Sequence, residues 1–429
     1  MIYKIKIFLQ SKDKKRLLEN FISLSILQGA NYILPLITLP YLVRVLGPEK
    51  FGLLAFAQAF VAYFGILIDY GFNLSATREV SIHRDNKEKL NEIYSSVTII
   101  KISIYIISLI LMSIIVFSFE KFKKDYLLYY LYFLGMISGI LFPSWLFQGL
   151  EKMKYITIIN IATRVFFTIM IFVLIKEQTD YYFVPILNSI GGILGGFAAL
   201  WIIRKNFNIK FKIPTLDRIL YELKEGWHIF ISTVAISLYT VSNTFILGLF
   251  TNNTIVGYYS AAEKIIKAVQ GLLTPVSQTI YPYISKLVKE SKEKGLKFLQ
   301  KITFLIGGIS FISSLILFIF ADLVVKFLLG NQYEESVPVL RILAFLPFII
   351  ALNNIFGIQT MLTFNYKEAF SKILISASII NILLAFILVP LYQHIGISFA
   401  VLISEIFVTV FMFLFLQNKG IKVLEGKFV

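Results

Sequence analysis

Runs of about 20 consecutive apolar residues recur along most of this chain, and that pattern excludes nearly every soluble fold. One such run, coiled as a helix, is long enough to cross the hydrocarbon core of a bilayer. No water reaches that core, so backbone N–H and C=O groups must bond within the segment, and the helix is the form that does this. The pattern predicts helices at 20–43, 51–72, 92–118, 126–148, 154–176, 181–204, 227–250, 256–283, 298–320, 335–362, 369–391 and 394–417. The connections between them are short, and none could hold a separate soluble domain.

Composition agrees. Of 429 residues, 57% are hydrophobic and 15% charged, where a soluble domain has roughly half and a quarter. The formal net charge of +16 would suggest nucleic acid as a partner in a soluble protein. Here most Lys and Arg lie in short loops between apolar blocks, so no nucleic acid is expected. The chain has no cysteine, which excludes disulfides, thiolate metal sites and a cysteine nucleophile. Three scattered histidines, His83, His228 and His394, argue against a histidine metal site. The basic leader through Arg16 resembles the start of a signal peptide. The block that follows, from about Phe21 to Val43, is too long for one and reads as an uncleaved first helix. The leader MIYKIKIFLQ is expected along the membrane surface.

Loop charges set the expected orientation, because cytoplasmic loops carry the excess of Lys and Arg. Basic clusters fall in alternate loops: Arg78, Arg84, Lys87 and Lys89, then the central loop from Arg204 to Lys224, then Lys286 to Lys301. The intervening loops carry few, with Lys121, Lys123 and Lys124 against the trend. With the N-terminus cytoplasmic, an even number of spans then places the C-terminus in the cytoplasm too.

The chain also repeats itself. The run Phe51-Gly52-Leu53-Leu54-Ala55-Phe56-Ala57 matches Val256-Gly257-Tyr258-Tyr259-Ser260-Ala261-Ala262. At the same offset, the charged run from Arg84 to Lys89 falls on Lys289 to Lys294. This predicts an all-α integral membrane protein of about twelve transmembrane helices in two six-helix bundles. The halves are 1–204 and 227–429, joined by a basic cytoplasmic linker at 205–226. Six is even, so both halves enter from the same side, and their pseudo-two-fold axis lies along the membrane normal.

Ionisable residues inside apolar blocks carry the functional signal, since a charge facing lipid is expensive. They are Lys101, Arg164, Glu263, Lys264, Lys267, Arg341 and Glu405, with Arg44 and Asp69 at helix ends. Each has a bland alternative. Arg44 can snorkel to headgroups, and Arg341 can be a boundary residue. Glu263 and Lys267 are spaced to form a local ion pair. Lys101 lies roughly 13 Å into its expected helix, too deep to snorkel easily. Glu405 is a proton or ion site, or a partner for one of the cations. Gly191, Gly192, Gly195 and Gly196 form two overlapping GxxxG patterns, expected to be helix packing. No phosphate-binding loop, HExxH or GxSxG motif is present, and nothing indicates an enzyme or a cofactor.

The stretch Leu39-Pro40-Tyr41-Leu42-Val43-Arg44-Val45-Leu46-Gly47-Pro48-Glu49-Lys50-Phe51-Gly52 resembles the opening of the Wzx-type O-unit flippases. These are polysaccharide transporters of the multidrug/oligosaccharidyl-lipid/polysaccharide exporter superfamily. The resemblance continues through Asp69 to Glu79, Pro143 to Met153 and Val256 to Lys264. It implies a V-shaped fold around a water-filled cavity with a cationic lumen. The substrate would be an undecaprenyl-diphosphate-linked O-antigen or capsule repeat unit, moved to the periplasmic leaflet by alternating access. The positions that fit a cationic lumen are Arg44, Lys101, Arg164, Lys264, Lys267 and Arg341. Asp69, Glu263 and Glu405 are candidates for coupling to H⁺ or Na⁺. A polysaccharide polymerase and chain-length machinery are the partners this implies. The alternative is a multidrug or cation exporter of the same superfamily, which should line its cavity with acids rather than cations.

Overall fold

The computed structural model describes residues 12–272 and 274–424, and every regular element among them is helical. The leader MIYKIKIFLQ and Lys427 lie outside the described residues. Eight helical segments among the described residues are long and apolar enough to cross a membrane. Two of them, Ile26–Ile82 and Lys367–Asn418, far exceed the 17–25 residues of one crossing, and each contains a break. In the first, Gly47 has φ 70°, a conformation that glycine adopts without a Cβ penalty. In the second, Gln393 has φ 49°, and Gly396 lies against the backbone of Leu388. The chain there folds sharply back on itself, between the helices expected to end at 391 and begin at 394.

Other expected helices are subdivided. The segment 126–148 becomes Tyr126–Gly135, Ser138–Leu141 and Ser144–Gly149. Pro143, which has no N–H to give to a helix, stands at the second break. The segment 335–362 becomes Ser336–Leu343, Leu346–Asn353 and a π-helical stretch Asn354–Leu362. Pro347 sits in the first turn of the middle piece, where a missing N–H costs nothing. The segment 256–283 becomes Asn253–Gly271 and Thr274–Glu290.

The contacts define two compact units. The first comprises residues 1–38 and 57–237, the second residues 39–56 and 238–429. The end of the first helix therefore groups with the second unit, whereas the division expected from sequence kept it with the first half. The linker likewise groups with the first unit. Its backbone amides at Lys210 and Lys212 donate to Asn91 Oδ1 at 2.7 Å and Ser95 Oγ at 2.9 Å. The chain then enters the long helix Leu216–Phe250.

In the first unit, the core packs Phe72, Ala76 and Val80 from Phe72–Ile82 against Leu90, Ile93, Val97 and Ile100 from Lys87–Ser118. Both sets follow the three-and-four spacing of one helix face. Trp145 and Phe147 fill the space between these and Ile156 and Ile203. The GxxxG pairs act on two separate faces. Gly192 and Gly196 receive Ser138 and Leu141, while Gly195 receives Thr163 and Ile159. This is the close helix packing expected from sequence.

In the second unit, Ile355, Phe356, Ala377, Val408 and Met412 form one core cluster. The segment 39–56 contributes Val43 and Leu46, both fully buried. A Cβ on Gly52 would overlap the backbone at Asn253 and stand 2.5 Å from the nitrogen of Gly257. A Cβ on Gly257 would overlap the Pro48 carbonyl. Only glycine permits so close an approach of two backbones.

Candidate functional site

Polar groupings lie within each of the two units. One is a cleft of about 410 Å³ in the first unit, lined by Asp69, Asn73, Lys101, Ser144, Asn160 and Thr163 among others. The end of one helix supplies Asp69, and the middle of Lys87–Ser118 supplies Lys101. The helix Met153–Leu174 supplies Asn160 and Thr163.

Lys101 is 5% exposed, and its Nζ donates to Asp69 Oδ1 at 3.1 Å. These two residues, read from sequence as a phosphate ligand and a coupling acid, are thus one ion pair. Ser144 Oγ donates to Asn73 Oδ1 at 3.3 Å. Asn160 Nδ2 donates to the Ile156 carbonyl at 2.8 Å, and Thr163 Oγ1 to the Asn160 carbonyl at 3.0 Å. Arg164 follows Thr163 in the same helix, half-buried and not part of the cleft lining.

In the second unit, the guanidinium of Arg44 donates to the Phe327 carbonyl. Gln332 Nε2 donates to the Arg44 carbonyl at 3.1 Å. Lys264 is exposed, with its ammonium 4.7 Å from the centre of the Phe51 ring, a cation–π arrangement. Lys267 pairs with Glu263 at 2.9 Å, the local i,i+4 bridge that was the bland alternative. Arg341 is exposed in the last turn of Ser336–Leu343. Among the described residues, no acid lies within ion-pair distance of Arg164, Lys264 or Arg341.

Glu405 belongs to a separate network. Asn353 Nδ2 donates to its Oε2 at 2.6 Å, and Thr409 Oγ1 donates to Asn353 Oδ1 and to the Glu405 carbonyl. Another grouping adjoins the π-helical stretch. There Ser277 Oγ donates to Asn354 Oδ1 at 2.7 Å, and Gln359 Nε2 donates to Ser277 Oγ at 2.9 Å. A π-helical turn recurs at functional positions in helices, and here it brings Asn354 and Gln359 onto the same hydroxyl.

Sequence reasoning missed one cluster entirely. Arg218 Nη2 lies 2.5 Å from Glu222 Oε1 and 3.7 Å from Glu79 Oε2. Arg78 lies 3.9 Å from Glu225. The Glu222 side chain is fully enclosed, and burial pushes its carboxyl up to about 7 despite the nearby Arg218. The i,i+4 spacing of Arg218 and Glu222 is the signal the sequence offers, in a segment where Arg218 alone enters the reading, as a basic residue of the central loop.

Comparison with known proteins places these features. The chain matches the family described as "Polysaccharide biosynthesis protein" over residues 17–288. It is 38% identical over 411 residues to a "Putative O-antigen transporter" of Escherichia coli (strain K12), covering 96% of this chain and 99% of that one. A Shigella dysenteriae protein of the same description is 31% identical over 397 residues, covering 92% and 98%. Among solved structures, the inward closed conformation of the lipid II flippase MurJ matches with a TM-score of 0.68 at 16% identity, covering 93% of this chain and 89% of that one. An inward-facing MATE multidrug resistance transporter matches with a TM-score of 0.68 at 14% identity, covering 92% and 96%. At such identities these two likenesses establish the fold alone. The chain is an all-α, multi-pass membrane transporter with the fold of the MATE-containing exporter superfamily, and it belongs to the polysaccharide biosynthesis protein family, with the Wzx-type flippases.

Proposed function

We propose that this protein flips a lipid-diphosphate-linked oligosaccharide, an O-antigen or capsule repeat unit, across a bacterial inner membrane. The observation that carries the reading is end-to-end similarity to two proteins described as O-antigen transporters. Physical chemistry fits it. Each unpaired hydroxyl moved into hydrocarbon costs roughly 4–8 kcal/mol, so an oligosaccharide needs a polar path while its lipid tail stays in the bilayer. Cations at membrane depth supply charge-assisted bonds to the diphosphate. Arg164, Lys264 and Arg341, which have no acidic partner among the described residues, are the best placed of the six for that role. Arg44, Lys101 and Lys267 already hold partners and contribute to positioning.

The two halves alternate the access of a shared aqueous cavity, with both termini cytoplasmic. Glu405 is the favoured coupling residue for H⁺ or Na⁺, since its Oε2 accepts from an uncharged amide, Asn353 Nδ2. The Asp69 and Glu263 carboxylates are occupied by Lys101 and Lys267. The product feeds a polysaccharide polymerase and its chain-length machinery.

Complementation of a flippase-null strain tests this. The wild-type chain should restore surface polysaccharide, and Arg164→Ala or Lys264→Ala should abolish it at normal protein levels. Drug efflux without restored polysaccharide would favour the multidrug exporter instead.

A further inference from the structure

We propose that the cleft in the first unit is a saccharide subsite, in which an uncharged sugar ring docks against Asp69, Asn73, Lys101 and Asn160. The proposal rests on the flippase reading and adds which part of the substrate this wall holds.

Charge decides the ligand class. Lys101 and Asp69 pair at 3.1 Å, so the cleft has no net charge to offer. A diphosphate entering it would meet the Asp69 carboxylate. An organic or metal cation would meet the Lys101 ammonium. The Lys101 ammonium repels from a site only 5% exposed, and the Asp69 carboxylate from a side chain 26% exposed, both less screened than charges in open water. A neutral ligand remains.

Hydrogen-bonding capacity narrows the class further. An ammonium carries three donors and a carboxylate has two acceptor oxygens. Among the described residues, Lys101 spends one donor on Asp69 Oδ1. Asn73 uses its amide oxygen for Ser144, and Asn160 uses its amide nitrogen for the Ile156 carbonyl. The cleft thus retains donors on Lys101 and Asn73 and acceptors on Asp69 and Asn160. Adjacent sugar hydroxyls each donate and accept, and they match such a mixture. Phe142 also lines the cleft and gives an apolar surface for the C–H face of a ring.

Space agrees. About 410 Å³ lies within the range of small-molecule sites. Gly139 lines the same cleft, and a Cβ there would meet nothing within 4 Å. The wall is recessed at that point, and a larger side chain would project into open volume rather than into protein.

The experiment compares two probes on the full chain in lipid nanodiscs. One is undecaprenyl diphosphate; the other is undecaprenyl diphosphate bearing a single N-acetylhexosamine. The wild type should bind the sugar-bearing lipid about tenfold tighter, the size of one or two net hydrogen bonds. Gly139→Leu and Asn160→Ala should each erase most of that difference while leaving affinity for the sugar-free lipid unchanged, which also shows that the variants are folded. Variants that weaken both lipids equally, or that keep the full difference, overturn the subsite. A wild type that binds neither lipid overturns the flippase reading instead.

Discussion

Gly52 and Gly257, the two glycines that the internal sequence repeat aligns, meet each other within the second unit. A Cβ on the first would stand 2.5 Å from the backbone nitrogen of the second. The repeat therefore marks two helix starts that must approach at backbone distance, and both copies of the motif keep the residue that allows it.

Alanine at either position should be costly. Gly52→Ala and Gly257→Ala push a methyl group into main-chain atoms, which cannot rotate away. A loss of about 3 kcal/mol or more is expected, at or above the upper end of ordinary overpacking. Gly308→Ala, where nothing lies within 4 Å, should be neutral or slightly stabilising through helix propensity. Thermal unfolding in detergent distinguishes the three.

The Lys101–Asp69 pair should be asymmetric under mutation. Asp69→Ala strands an ammonium that is 5% exposed, and removing one partner of a buried pair costs about 3–5 kcal/mol. Lys101→Ala leaves a carboxylate whose side chain is 26% exposed and should cost less. The double variant Asp69→Ala/Lys101→Ala should recover part of the loss. A double-mutant cycle with no coupling between the two sites would contradict this.

Glu222 should make stability depend on pH. Its carboxyl titrates at about 7 when folded, against 4.5 when exposed. Between those values the folded chain holds a proton that the unfolded chain releases. Its contribution is therefore complete below about pH 4.5 and is lost as pH rises through 7. The unfolding midpoint of Glu222→Gln should fall less than that of the wild type between pH 5 and pH 8.

Glu405→Gln should separate coupling from folding. Glutamine keeps an oxygen for Asn353 Nδ2, the bond now made at 2.6 Å, so stability should change by less than about 1 kcal/mol. Flipping in vesicles should lose its response to an imposed proton or sodium gradient. An unchanged gradient response would remove Glu405 from the coupling path.

The apolar blocks made the helices legible, because burial in lipid leaves the backbone no other economy of hydrogen bonds. Interruptions were harder to read. Pro143 and Pro347 mark breaks through their missing N–H, yet Gln393 turns the chain with a residue that carries no turn signal. Buried charges were legible as a class, since charge within an apolar run is conspicuous. Their pairings were not. Asp69 and Lys101 are far apart in sequence, and nothing in the local pattern tells that their helices meet. Glu263 and Lys267 were readable because a helix alone sets their distance. Arg218 and Glu222 share that spacing, but they sat in a loop read only for topology, where the helix in fact starts at Leu216.

Residues 39–56 group with the second unit, while the stretches before and after them group with the first. The chain thus passes between the units three times. Cutting the gene at the basic linker would not yield two self-sufficient products. A fragment ending there would carry apolar surface that it cannot cover, and its counterpart would lack Val43, Leu46 and Gly52.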